Sequence, residues 1–405
     1  MKVSDRFISY VKVYTASALD VEETPTTARQ FDLSRKLAAE LREMGMSEVY
    51  EDEHAYVYAV LPASAGYEDK PCMGLIAHID VVPDFPAENV RPQLVENYDG
   101  GDVQLGSSGR VLSPEKFPNL KRFIGQTLIT TDGTTVLGAD DKAGVAEIMS
   151  ACERIINEKL PHGKIAVCFT PDEEVGHEAA LLDLQRLGAA FAYTMDGSAL
   201  EEVNYETFNA ASAHWDITGF NVHPGDAKNT MINAACVAME INAMLPAGEV
   251  PEKTEGYEGF YHLTDMKGTV ESASMNYIIR DHDAAGLAAR KKTLLHVEKL
   301  INEKYGEGTA KLSLKDQYSN MSEVLKDHMD IVELAERAIR RAGIEPVRVP
   351  IRGGTDGAQL SFRGLPCPNL GTGGDAFHGP YEHISVEAME KAVDIIINLV
   401  AENKK

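Results

Sequence analysis

Apolar positions recur every three to four residues through 24–45 (TPTTARQFDLSRKLAAELREMG), where Phe31, Leu33, Leu37, Leu41 and Met44 fall at helical spacing and Gly45 supplies a stop. The N-terminal 20 residues are amphipathic in the same way. The period then changes. YVYAVLPA (56–63) and CMGLIAHIDVV (72–82) read as strands, the second apolar enough to lie in a sheet covered on both faces. A Gly-, Pro- and Asp-rich excursion over 83–121 is too long for an idle connection and predicts an ordered loop or hairpin near the functional site.

Beyond it strand and helix alternate. TTVLGA leads into DDKAGVAEIMSACERIINE, KIAVCFT into DEEVGHEAALLDLQRLG, and AAFAYTMD into a turn. That order predicts an α/β fold with a mainly parallel sheet and helices on both faces. From Asn209 the texture differs: strand, helix, strand, strand, helix, strand over 209–320, the order of a compact, ferredoxin-like α+β unit. A helix (DIVELAERAIRRAG), a loop (IRGGTDGAQLS) and a closing helix (VEAMEKAVDIIINLVAEN) follow. The expected organisation is a first domain built from 1–208 and 321–405, interrupted by a second at 209–320.

Composition narrows the function. Lys plus Arg total 39 against 63 Asp plus Glu, a formal charge of −24, which argues against nucleic acid or an anionic membrane as partner. The five cysteines are scattered without a C-x-x-C spacing, as expected of reduced thiols in a cytoplasmic protein, so any metal would have oxygen and nitrogen ligands. No apolar signal core and no stretch of membrane-spanning length is evident, and a soluble protein is expected.

Ligands of open α/β sheets bind beyond the carboxyl ends of strands, so the residues predicted there matter. They are His78 and Asp80, Asp140 and Asp141, the run Asp172-Glu173-Glu174, and Asp196; His378 lies in a loop before the last helix. Singly, each has an ordinary reading as a helix cap, a turn or a half-buried histidine. Together they crowd charge, because two carboxylates about 4 Å apart cost about 4 kcal/mol at an effective dielectric near 20. Two zinc ions remove that penalty, since zinc accepts imidazole and carboxylate and a pair can share one carboxylate. Asp140, Glu174, Asp196 and a bridging hydroxide balance the charge of the two ions, with His78 and His378 as neutral ligands. Glu173 is left free as general base, and Asp80 can orient the His78 imidazole.

The motifs HID (78–80), GADDKAG (138–144), DEEVG (172–176), Asp196 and His378 resemble the zinc-dependent exopeptidase superfamily of carboxypeptidases, dipeptidases, amidohydrolases and tripeptide aminopeptidases. The blocks TPTTARQFDL, TTDGTTVLGADDKAG, NVHPGDAKN, TEGYEGFYHL, NYIIRDHD and PIRGGTDGAQLS carry the likeness to the tripeptide aminopeptidases over nearly the whole chain. The resemblance implies one zinc on His78, Asp140 and Asp196 and the other on Asp140, Glu174 and His378, with cobalt or manganese as substitutes. It also implies Glu173 as proton acceptor, Asp80 in a supporting catalytic role, and the inserted domain as a lid and homodimer surface. His223 is then expected to polarise the scissile carbonyl, and Arg280 and Arg352 to hold the carboxylate of a small peptide. Two departures are Ser198 after Asp196-Gly197, where further glycine is common, and Asp375 near His378, where an aromatic is usual.

The expected reaction is hydrolysis of the first peptide bond of a tripeptide. The alternatives are an N-acyl amino acid deacylase, dipeptidase or carboxypeptidase on the same site, or a protein that only binds metal. Phosphoryl transfer is disfavoured by two histidines at ligand positions and the lack of a Gly-x-x-x-x-Gly-Lys loop.

Overall fold

The computed structural model describes residues 1–403. They form two compact units, one from Met1–Tyr205, Val324–Val349 and the chain from Thr355 onward, the other from Glu206–Glu323 and Pro350–Gly354.

An eight-stranded sheet organises the first unit, in the order Ser47–Glu51, Val57–Leu61, Ile165–Thr170, Met73–His78, Phe191–Gly197, Asn369–Gly371, Glu202–Asn204 and Val347–Arg348. Strands Ile165–Thr170, Met73–His78, Phe191–Gly197 and Asn369–Gly371 run parallel, while antiparallel pairings occur on either side of them. Every residue of Met73–His78 is buried, as its unbroken apolar run requires of a strand covered on both faces. On one face Ile76, Ala166, Cys168 and Ala192 pack against Ala179, Leu182, Leu187 and Leu360. Helix Ala139–Glu158 covers strands Met73–His78 and Phe191–Gly197, and helices Val3–Val11 and Val386–Glu402 pack on it in turn. All five cysteines are free.

Two predicted elements differ. TTVLGA is not a strand; the backbone from 131 to 138 is irregular, and Asp140 lies in the distorted first turn of helix Ala139–Glu158. The reason is a contact distant in sequence: the Leu137, Gly138 and Asp140 amides donate to the carboxylate of Glu382 rather than to a neighbouring strand. Nor is 172–188 one helix. It breaks into a 3₁₀ turn, Glu173–Val175, and two short helices, Glu178–Leu181 and Leu184–Leu187, because Gly176 adopts a left-handed φ and Asp183 starts a new cap.

The excursion after Pro83 is ordered. Strand Gln93–Val95 joins Leu128–Thr130, His383–Ser385 and Gly374–Asp375 in a four-stranded antiparallel sheet, and Val103–Leu105 pairs with Arg110–Leu112 as a hairpin. His378 occupies the loop between Gly374–Asp375 and His383–Ser385.

The second unit is a four-stranded antiparallel sheet ordered Phe260–Gly268, Ser272–Asp281, Asn209–Thr218, Ala310–Tyr318, with helices Ala234–Met244 and Ala284–Tyr305. Alternate residues Ala211, Ala213, Trp215 and Ile217 meet Val237, Ile241, Leu294 and Ile301 in its core. Residues 350–354, expected in the first domain, belong to this unit: Ile351 N–H donates to Glu206 O, and Arg352 donates to Gly256 O and Glu258 O. No helix of the described residues is long and apolar enough to cross a membrane.

Candidate metal centre

Three adjacent parallel strands deliver the core of the site. His78 is the last residue of Met73–His78, Asp196 is the next-to-last of the neighbouring Phe191–Gly197, and Glu173 and Glu174 follow Ile165–Thr170 on the other side. Asp140 comes from the helix start instead. Helix Ala139–Glu158 can approach strand Phe191–Gly197 because residue 144 is glycine; a Cβ there would stand 2.0 Å from Met195 O and 2.5 Å from Asp141 Oδ1. His378, with φ 63°, arrives from its loop in a conformation few non-glycine residues adopt.

The five expected donors converge. His78 Nε2 lies 2.9 Å from Asp140 Oδ1 and 3.4 Å from Asp196 Oδ1. The other Asp140 oxygen faces His378 Nε2 at 3.1 Å, and that nitrogen lies 3.2 Å from Glu174 Oε2. Asp140 therefore stands between the two imidazoles, one oxygen to each. His78 Nδ1 faces the Asp80 carbonyl at 3.2 Å and Asp80 Oδ1 at 3.3 Å, two acceptors that keep its proton on Nδ1 and aim Nε2 at the carboxylates. Asp80, fully buried, also accepts from the Glu173 and Glu174 amides at 3.0 and 3.3 Å. One side chain thus sets both the imidazole and the acidic turn.

Charge balance decides what such a cluster can hold. Burial, reinforced by Asp140, pushes the Glu174 carboxyl up to about 11, and burial with the same neighbour lifts Asp196 to about 7. Glu173 is raised well above the usual range by burial and then by Asp196. Burial opposes the ionised Asp140 as well, but hydrogen bonds from His378 and His78 outweigh it and hold that carboxyl low. His78 goes well above its usual value because Asp140, Asp196 and Asp80 overcome its burial. Acids that retain protons only for want of a counter-charge are acids from which a divalent cation displaces them. Glu174 Oε1 is the clearest mark of fit, since it is buried with no hydrogen-bond partner among the described residues. Donor atoms of His78, Asp140 and Glu174 lie within 4.8 Å of one another, as do those of His78, Asp141 and Asp196. Three carboxylates and two imidazoles suit zinc and similar ions.

Some neighbours had no role assigned from the sequence. Asp141 accepts from the His78 and Gly144 amides at 3.1 and 3.2 Å; its only signal in sequence is its place beside Asp140. Asp172 takes no part in the donor cluster: it accepts from Thr26 N–H and Oγ1 and from Gln30, anchoring the TPTTARQ block. Glu382, four residues after His378, has no motif to mark it. Ser198 donates to Gly374 O at 2.9 Å, tying the Asp196 strand end to the His378 hairpin, while Asp375 accepts from the Ala376 amide.

The remaining expected residues lie in the second unit. His223 is exposed, its Nδ1 accepting from Gly225 N–H at 3.1 Å. Arg280, half-buried on Ser272–Asp281, donates to Ala211 O and Ile279 O. Arg352 donates to Gly256 O, Glu258 O and Thr254 Oγ1 at 2.7 to 2.8 Å and lies over the Phe208 ring.

With this geometry in view, the sequence model of Peptidase family M20/M25/M40 matches residues 137–402. The chain belongs to that family. This M20 peptidase is 54% identical over 400 residues to peptidase T of Clostridium perfringens strain 13, covering 98% of each chain. It is 51% identical over 396 residues to peptidase T of Edwardsiella ictaluri, covering 98% of this chain and 96% of the relative. Among solved structures, aminopeptidase PepT from Bacillus cereus ATCC 10987 superposes with a TM-score of 0.78 at 22% identity, over 100% of this chain and 98% of that one. A dinuclear metal-binding peptidase of the M20 family from Bacillus subtilis gives 0.67 at 16% identity, over 98% and 97%. At these identities the two structures establish a shared fold.

Proposed function

We propose that this peptidase is a metal-dependent aminopeptidase that removes the N-terminal residue of tripeptides, using two divalent ions, zinc by donor preference. The observation that carries the reading is the Asp140 carboxylate set between His78 Nε2 and His378 Nε2, one oxygen toward each, as a ligand shared by two ions would be. The high identity to proteins named peptidase T supports the substrate class.

His78, Asp140 and Asp196 would hold one ion, and Asp140, Glu174 and His378 the other. When bound, such ions neutralise the carboxylates, lower the pKa of water and polarise a carbonyl. The chain's own groups do the rest. Glu173, whose carboxyl makes no hydrogen bond among the described residues, accepts the proton from the attacking water and returns it to the leaving amine. Asp80 keeps His78 in one tautomer and orientation. In the inserted unit, His223 is proposed to stabilise the oxyanion and Arg280 to pair with the peptide carboxylate. Arg352 is engaged through both Nη atoms within its own unit, whereas Arg280 donates to backbone carbonyls through Nη1 alone, which makes Arg280 the better clamp. The inserted unit is also the proposed homodimer surface.

The test is tripeptide hydrolysis by wild type and Glu173→Gln with metal content measured in both. The variant should retain its ions and lose turnover by about 10²–10⁴-fold. Full turnover with ions bound would remove Glu173 from the mechanism; a wild type inert on tripeptides but active on acylated amino acids would make the protein a deacylase.

A further inference from the structure

Glu382 is fully buried, 1% exposed, yet its carboxylate makes no salt bridge among the described residues, the buried Lys142 acting on it only from beyond contact distance. Its partners are three backbone amides from a segment more than 240 positions away. Oε2 accepts from Leu137 N–H at 2.7 Å and Gly138 N–H at 2.8 Å, and Oε1 accepts from Asp140 N–H at 3.0 Å. Burying a carboxylate is costly unless its hydrogen bonds replace water, and three amides do so here. These are the amides that would otherwise be unsatisfied where the chain turns from the irregular run 131–138 into helix Ala139–Glu158.

Glu382 shares its segment with His378. At one end of HGPYE the imidazole Nε2 meets the Asp140 side chain at 3.1 Å; at the other the Glu382 carboxylate holds the Asp140 main chain. The residue that stands between both imidazoles is thus gripped twice by one loop, once by its carboxylate and once by its own N–H. A short connection, Glu382 N–H to Gly379 O, closes the loop on itself.

We propose that Glu382 is a positioning residue for the metal centre: it fixes the rotation of Asp140 so that one oxygen faces His78 and the other His378, and sets the His378 loop in register with it. The inference rests on the reading of Asp140 as a shared ligand. It does not depend on which peptide bond is cleaved.

Glu382→Gln gives a selective test. Keeping an oxygen where Oε2 is now preserves the Leu137 and Gly138 bonds, and the amide –NH₂ then opposes Asp140 N–H, donor against donor. Contacts to residues orienting metal ligands typically matter by about 10–100-fold in affinity. Zinc affinity and stoichiometry would be read by competition with a chromophoric chelator on the full chain, alongside the thermal midpoint with and without metal. The expected result is two ions on wild type and, in the variant, a loss of affinity within that range for at least one ion, with metal adding less to the thermal midpoint. Glu382→Asp, which keeps the charge but is one methylene short, should show the same loss, and it serves if the glutamine variant does not fold. A variant that binds both ions as wild type does, with only its metal-free midpoint lowered, would make Glu382 purely structural and overturn the proposal alone. Wild type that binds no zinc would overturn the shared-ligand reading and this inference together.

Discussion

Replacing Asp80 by asparagine isolates the tie between the imidazole and the acidic turn. In the structure Oδ1 receives Glu173 N–H and faces His78 Nδ1, while Oδ2 receives Glu174 N–H. Whichever way the asparagine amide turns, its –NH₂ meets a backbone N–H. With the oxygen kept toward His78, the Glu174 amide loses its acceptor, and a buried donor left unsatisfied costs about 1–3 kcal/mol. If that cost displaces Glu174 and His78 from their working positions, each 1.4 kcal/mol is about tenfold in rate, so a loss of about 5–150-fold in kcat/KM follows. Steady-state kinetics on a tripeptide, with metal content measured in parallel, would show it. The fall should lie mainly in kcat, because Asp80 has no place to touch the peptide. An Asp80→Asn variant within twofold of wild type would refute the claim that these contacts position the site.

Metal removal carries a pH signature. Asp196 and Glu174 have folded-state values of about 7 and about 11, raised by burial and by neighbouring charge, and a carboxyl raised on folding stabilises the fold below its unfolded pKa and loses that as pH climbs. His78, also raised, acts in the same sense above its ordinary value. Asp140 is lowered and acts oppositely, but only as pH falls below the usual carboxylate range. The metal-free thermal midpoint should therefore fall between about pH 5 and pH 8, and the gain from added zinc should grow over that range. A metal-free midpoint that rises with pH there contradicts the assignment. Arg352→Ala leaves Gly256 O and Glu258 O without their donor and should lower the thermal midpoint, with Arg352→Lys unable to restore it. An unchanged midpoint with impaired kcat/KM would return Arg352 to the role of substrate clamp.

That His78, Glu174 and Asp196 share one edge was legible because their signals are local, whereas Asp140 arrives from a helix start and not from the expected strand end. An apolar run ending in His78, another ending before Asp172-Glu173-Glu174 and a third ending in Asp196 each mark a strand terminus, and parallel strands bring such termini to one edge. The period-two and helical patterns of 209–320 likewise announce their elements, since each needs one apolar face and its spacing records it. The path of 131–138 was not legible. TTVLGA has the composition of a strand, and only the Glu382 carboxylate, carried beside it by the pairing of His383–Ser385 with Leu128–Thr130, takes the amides that a strand neighbour would have bonded. Of the three acids of DEE, the sequence reading separated Glu173 from Glu174, but only the tertiary structure turns Asp172 to Thr26 and Gln30; Glu174 faces His378, and the Glu173 carboxylate makes no hydrogen bond among the described residues. Side-chain type and spacing are properties of the chain and can be read along it. Which backbone donors meet which distant carboxylate depends on strand pairings between segments far apart in the chain, and these exist only in the folded protein.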